Sequence, residues 1–119
     1  MARILLAEDD ASLRNFLARA LERAGHEVVT VENGSDAYDR LGGGEFELLI
    51  ADIVMPGLDG IELARRAGTE NPALRIVLIT GFAAMALQAR DADIGRTRVL
   101  SKPVHLRELV DQVDEVLAT

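Results

Sequence analysis

Asp52 ends the apolar run Leu48-Leu49-Ile50-Ala51 and leads into Ile53-Val54-Met55-Pro56-Gly57, which puts a lone carboxylate at the lip of a buried strand. Three more apolar runs end in polar groups. Glu8, Asp9 and Asp10 follow Ile4-Leu5-Leu6-Ala7, Thr80 follows Ile76-Val77-Leu78-Ile79, and Lys102 with Pro103 follows Val99-Leu100-Ser101. An acid cluster, a central Asp, a hydroxyl and a lysine are the parts of a site for a metal ion and a phosphoryl group. A carboxylate can attack phosphorus and form an acyl phosphate, but the attack brings two anions together. A hard divalent cation relieves that repulsion, and Mg²⁺ favours oxygen ligands. Glu8, Asp9 and Asp52 supply such oxygens, with the Val54 backbone carbonyl as a further ligand. Lys102 would meet the phosphoryl oxygens as a point charge, and Thr80 would donate from its hydroxyl.

The elements between these groups decide whether they converge. Leu13, Phe16, Leu17, Ala20, Leu21 and Ala24 recur at helical spacing and stop at Gly25. Val28-Val29-Thr30-Val31 reads as a second strand, and a short helix over 35–41 ends at Gly42-Gly43-Gly44. Asp59 caps a helix carrying Ile61, Ala64 and Ala67. An Ala-rich helix near 83–89 follows Thr80, the polar stretch Arg90 to Arg98 reads as loop, and Leu106, Leu109, Val110, Val113 and Leu117 mark a last helix. Strands this continuously apolar belong to a parallel sheet covered by helices on both faces. The expectation is an α/β, flavodoxin-like (βα)5 fold with strand order 2-1-3-4-5, in which ligands bind beyond the carboxyl ends of the strands at the switch between strands 1 and 3. The acids after the first strand and Asp52 after the third flank that crevice.

The chain has 119 residues, which suits one domain over 1–119 with no output domain. With 49% apolar residues and 3% aromatic ones, the core should be aliphatic. The absence of cysteine excludes thiolate metal sites and disulfides and fits a reducing cytoplasm. No apolar run approaches the roughly 20 residues of a membrane span. The start at Met1-Ala2-Arg3 enters a strand at once and leaves no room for a signal peptide. A net charge of −7 disfavours direct contact with nucleic acid.

Plainer readings apply to several residues. Asp10 in Asp10-Ala11-Ser12-Leu13 is a helix N-cap in preference to a ligand. Singly, Asp52, Thr80 and Lys102 are ordinary strand-end residues, and only their joint occurrence carries the site. A cis bond at Lys102-Pro103 would direct the Lys side chain, whereas a trans bond would simply start the last helix. His26 reads as a surface residue and His105 as a residue of the first turn of the last helix. Gly42-Gly43-Gly44 lacks the following Lys-Ser/Thr of a phosphate loop.

With these stretches together, the chain resembles the receiver domains of two-component response regulators over its full length. The carrying motifs are Ile4-Leu5-Leu6-Ala7-Glu8-Asp9-Asp10, Asp52-Ile53-Val54-Met55-Pro56-Gly57-Leu58-Asp59-Gly60, Ile79-Thr80-Gly81 and Ser101-Lys102-Pro103. The resemblance implies that Asp52 accepts a phosphoryl group from a histidine of a kinase or phosphotransferase. It also implies that Glu8 and Asp9 hold Mg²⁺, that Thr80 is the switch hydroxyl and that Lys102 contacts the phosphoryl group. Asp-x-Asp phosphatases are excluded, because Val54 stands where their second Asp would be. A narrower resemblance, through Asp59-Gly60-Ile61-Glu62-Leu63-Ala64-Arg65-Arg66-Ala67, Phe82-Ala83-Ala84 and Val104-His105-Leu106-Arg107-Glu108-Leu109, is to single-domain receivers. Unphosphorylated, these engage the ClpX unfoldase and prime the ClpXP protease, and phosphorylation turns them off.

One position departs from many receivers. Val99 stands three residues before Lys102, where an aromatic commonly follows the switch hydroxyl. The signal should then pass through the loop after Thr80, with Phe82 as a mover and with Val54 and Phe82 shielding the acyl phosphate. The leading expectation is a phosphorylation-controlled adaptor, not an enzyme, that contacts partners through the 83–89 helix, the fifth strand and the last helix, including His105 and Arg107. The alternatives are a phosphorelay carrier or sink between histidine proteins and, from another class, a flavodoxin-like or hydrolytic enzyme. Against the last, the chain has no nucleotide loop, no Ser-His pair and few aromatics for a flavin.

Overall fold

A computed structural model describes residues 2–82 and 97–118. The elements run β1 (Arg3–Ala7), α1 (Ala11–Arg23), β2 (Glu27–Val31), α2 (Gly34–Leu41), β3 (Leu48–Asp52), α3 (Gly60–Glu70), β4 (Arg75–Thr80), β5 (Thr97–Ser101) and α4 (Leu106–Leu117). All strand pairs are parallel and the order is β2-β1-β3-β4-β5, the flavodoxin-like order expected from the alternation of elements. The Ala-rich segment near 83–89 and most of the Arg90 to Arg98 stretch lie outside the described residues. Thr97 and Arg98, expected in the loop, belong to β5: they pair with Ile76 and Val77 of β4, so backbone pairing extends the strand beyond its apolar part.

The central strands are apolar between their polar ends because each of their faces meets a helical layer. Leu5, Ala7, Leu49, Ala51, Ile76 and Leu78 pack with Ala37 of α2 and with Ile61, Leu63, Ala64 and Ala67 of α3. Their neighbours Ile4, Leu6, Leu48, Ile50, Val77 and Ile79 face Leu17 and Leu21 of α1 and Leu109, Val113 and Val116 of α4. All five residues of β3 are buried, whereas β2, at one edge, has none fully buried. Burial on this scale, at about 25 cal/mol per Å² of apolar surface, is the main stabilising term.

Local chemistry sets the helix starts. Asp10, Asn33 and Asp59 accept hydrogen bonds from the Leu13, Asp36 and Glu62 amides at 3.0, 2.8 and 2.9 Å, satisfying donors that the helices leave open. Asp10 is thus the N-cap that the sequence suggests. Asn33 starts α2 at Gly34, one residue earlier than expected. Past the C-terminus of α1, Gly25 adopts φ +97°, a left-handed conformation that ends the helix without a Cβ penalty.

Candidate functional site

Register brings the strand ends together. Ala7 pairs with Ala51, so Glu8 leaves β1 next to Asp52 at the end of β3. Asp52 pairs with Ile79, one residue before Thr80, and Thr80 pairs with Ser101, one residue before Lys102. Among the described residues the buried polar or charged side chains are Glu8, Asp52 and Thr80, at 2%, 6% and 1% exposure. They lie on three adjacent strands at the same end of the sheet.

Both carboxylate oxygens of Asp52 are engaged. Oδ1 accepts from the Val54 amide at 3.0 Å, and Oδ2 accepts from Lys102 Nζ at 2.6 Å. Lys102 Nζ also lies 3.6 Å from Glu8 Oε1. Glu8 is held further by the Asp10 amide, which donates to Oε2 at 3.1 Å, and by its own amide, which donates to the Val31 carbonyl at 3.2 Å. Arg14 of α1 reaches back to the same residue: Nη1 donates to the Glu8 carbonyl at 2.9 Å, and Nη2 pairs with Glu32 at 3.4 Å. The Lys102–Pro103 peptide bond is cis.

Gly60 is what lets the Asp52 loop close. A Cβ there would stand 2.5 Å from the Asp52 carbonyl oxygen and 2.7 Å from the Ile53 Cα, while the Gly60 amide donates to the Ile53 carbonyl at 2.9 Å. The start of α3 therefore sits directly on the backbone that carries the Asp52 carboxylate.

The electrostatics are those of an acid cluster short of positive charge. Burial pushes the Glu8 carboxyl up to about 7; the Asp10 amide opposes the rise, and the nearby Asp52 charge adds to it. For Lys102, partial burial disfavours the ammonium, but the hydrogen bond and charge of Asp52, with Glu8 behind them, outweigh it and leave the group above its ordinary value. One lysine thus serves two buried carboxylates. Glu8, Asp9 and Asp52 each offer a carboxylate oxygen, all within 4.8 Å of one another. An all-oxygen, anionic donor set suits a hard divalent cation and does not suit a soft one. Val54, whose amide bonds Asp52, has its backbone at the same place.

The hydroxyl of Thr80 accepts from the Phe82 amide at 3.1 Å, and the Lys102 amide donates to the Thr80 carbonyl at 2.8 Å. Thr80 is therefore tied both to Phe82, two residues further on, and to the lysine. Three large apolar side chains are exposed among the described residues. Two of them, Val54 at 45% and Phe82 at 60%, belong to the loops that follow Asp52 and Thr80. Val99 is half-buried against the core. His105 and Arg107 are exposed at the start of α4, and His105 occupies the N-cap position without a side-chain cap bond.

His26 corrects the sequence reading. Its side chain is 8% exposed, not a surface group: Nδ1 accepts from the Ala2 amide at 3.2 Å, and Nε2 stands 3.7 Å from Asp114 Oδ1 of α4. It lies between α1 and β2, where the chain folds back onto β1, and a flanking Gly and Glu gave no sign of that burial. Arg14 was also missed. An arginine in a helical polar position gives no signal in sequence, whereas Gly60 could have been found as a glycine directly after the capping Asp59.

The response regulator receiver domain model matches residues 4–114. The chain is 56% identical over 118 residues to the response regulator receiver protein CpdR of Brucella abortus, covering 98% of each chain. It is 37% identical to the DNA-binding transcriptional regulator NtrC of Azospirillum brasilense, covering 98% of this chain but 24% of that longer protein. The response regulator TrrA of Thermotoga maritima, solved in complex with Mg²⁺-BeF, superposes with TM-score 0.87 at 29% identity over 98% of this chain and 99% of that one. With the sheet order, the strand-end carboxylates and these matches in agreement, the chain belongs to the response regulator receiver domain family.

Proposed function

We propose that this chain is a single-domain response regulator that takes a phosphoryl group on Asp52 from a histidine kinase or histidine phosphotransferase. The observation that carries the reading is a buried Asp52 held at 2.6 Å by Lys102 beside two further acids. Glu8, Asp9, Asp52 and the Val54 carbonyl would hold Mg²⁺; the solved TrrA complex with Mg²⁺-BeF supports such an ion in this fold. When bound, Mg²⁺ offsets the negative charge of the carboxylate and the phosphoryl oxygens.

The chain's own residues then have distinct tasks. The Val54 amide keeps Oδ1 of Asp52 in place, and Lys102 must release Oδ2 and pass its ammonium to a phosphoryl oxygen. One Asp52 oxygen forms the new bond to phosphorus while the phosphorus–nitrogen bond to the donor histidine breaks, leaving the electron pair on the imidazole. The Thr80 hydroxyl already accepts a bond from Phe82, so its own proton is available to the phosphoryl group. Moving Thr80 would disturb the Phe82 amide and hence the loop after β4. With Val99 in place of an aromatic, that loop is the route by which phosphorylation is read. Asp52 is an acceptor in this scheme, and the chain is not a turnover enzyme.

The output we propose is an adaptor for the ClpXP protease in the cytoplasm, active when unphosphorylated. Its support is the near-equal length and 56% identity shared with CpdR, together with the motifs around His105 and Arg107. The exposed surface of β5 and α4 would face ClpX. Degradation of a candidate substrate by ClpXP tests this, using wild type and Asp52→Ala with and without Mg²⁺ and acetyl phosphate. Stimulation by the wild type that phosphorylation abolishes, and constitutive stimulation by Asp52→Ala, support the adaptor. Phosphate uptake with no effect on degradation would instead make the chain a phosphorelay carrier.

A further inference from the structure

Arg14 is an unusual residue for its place. It sits in the first turn of α1, where the helix dipole favours anions, and that turn contains no acid. Its side chain is only 12% exposed. The guanidinium is spent on loops: one arm bonds the Glu8 carbonyl at 2.9 Å and the other pairs with Glu32 after β2. Glu8 is anchored at its amide by Val31 and at its carboxylate by the Asp10 amide and Lys102. The Glu8 carbonyl belongs to the peptide plane that leads into Asp9, and Arg14 holds it.

We infer that Arg14 is a positioning residue for the cation site: by fixing the Glu8–Asp9 peptide it aims both carboxylates at a common point. The inference rests on reading Glu8, Asp9 and Asp52 as a divalent-cation site, and it adds a residue to that site that touches neither the cation nor the phosphoryl group. Its sign distinguishes it from a charge effect. A positive guanidinium near a cation site repels the cation, so loss of charge alone would tighten Mg²⁺. Loss of positioning loosens it, as removal of groups that orient metal ligands does.

The test is calorimetric titration of MgCl₂ into the full chain, comparing wild type, Arg14→Gln, Arg14→Lys, His26→Ala and Asp9→Asn, with melting temperatures taken without Mg²⁺. Arg14→Gln is expected to weaken Mg²⁺ by about ten-fold. Arg14→Lys keeps the charge but not the two-armed reach, and falls between it and the wild type. His26→Ala, far from the site, lowers the melting temperature without changing Mg²⁺ affinity, which separates positioning from general destabilisation. Unchanged or tighter Mg²⁺ binding in Arg14→Gln overturns the inference. If that variant does not fold, the same result in Arg14→Lys does so. Binding by the wild type that Asp9→Asn abolishes shows that the cation reading stands whatever Arg14 does. A wild type that binds no Mg²⁺ overturns that reading and the inference together.

Discussion

The two ends of the sheet each bury a titratable side chain, and they treat it differently. At the amino ends of the strands, His26 tucks its imidazole under the start of β1 and accepts the Ala2 amide. Nε2 of the same ring stands 3.7 Å from the exposed carboxylate of Asp114. At the carboxyl ends, Glu8 and Asp52 are buried together and share one partly exposed lysine. Buried acids in excess of their counter-charge are costly, and the protein keeps them where the fold opens a crevice. The first end is scaffold, and the second gives up stability for a site.

The sharpest way to break the comparison is at Asp52. Asp52→Asn should abolish phosphoryl uptake, whereas His26→Ala should take up phosphate at close to the wild-type rate; phosphorylation from a phosphohistidine donor, followed by gel shift, checks both. Uptake lost equally in both variants would mean that the two ends are not independent.

Next in size is the pH response of the metal-free protein. Because burial raises the Glu8 carboxyl from about 4.5 to about 7, the folded state holds its proton more tightly than the unfolded chain does. This contribution is present in full below pH 4.5 and is lost as pH rises through 7, on the order of 3 kcal/mol in all. Urea unfolding without Mg²⁺ should therefore show this component falling between pH 5 and 8, and Glu8→Gln should remove it. Added Mg²⁺, which needs the ionised acid, should restore stability at the upper end. A Glu8→Gln variant with the same pH slope as wild type would contradict the assignment.

Smaller effects sharpen the contrast. Gly60→Ala forces a Cβ against the Asp52 carbonyl and should cost about 1–3 kcal/mol, with slowed phosphorylation, since the contact is with the backbone of the proposed acceptor. His26→Ala should cost about 1–3 kcal/mol through the Ala2 amide left unpaired, with no change in phosphorylation rate. Asp59→Ala, which removes only the cap of α3, should cost about 1 kcal/mol. Chemical denaturation ranks the three, and phosphorylation kinetics separates the first from the other two.

Much of this was legible in residue order. Apolar runs closed by polar residues named the strands, and the alternation with helical segments named the sheet order. A parallel sheet aligns its strand ends, so Glu8, Asp9, Asp52, Thr80 and Lys102 could be brought together before any coordinates. What remained hidden depended on contacts with no local pattern. Thr97 and Arg98 are polar and became strand through pairing with β4. His26 is buried by segments distant in the chain, Ala2 and Asp114. Arg14 looks like any polar helix residue until its guanidinium is seen on the Glu8 carbonyl. Asn33 did carry a signal, an Asn three residues before Asp36, but a glycine beside it reads equally well as a turn.

The most direct test of the central claim is to phosphorylate wild type and Asp52→Asn with acetyl phosphate and Mg²⁺ and to measure intact mass. The account predicts a single added phosphoryl group on the wild type, lost on chelation of Mg²⁺ before the reaction, and none on Asp52→Asn. An equal mass gain in Asp52→Asn, or uptake indifferent to Mg²⁺, would contradict it.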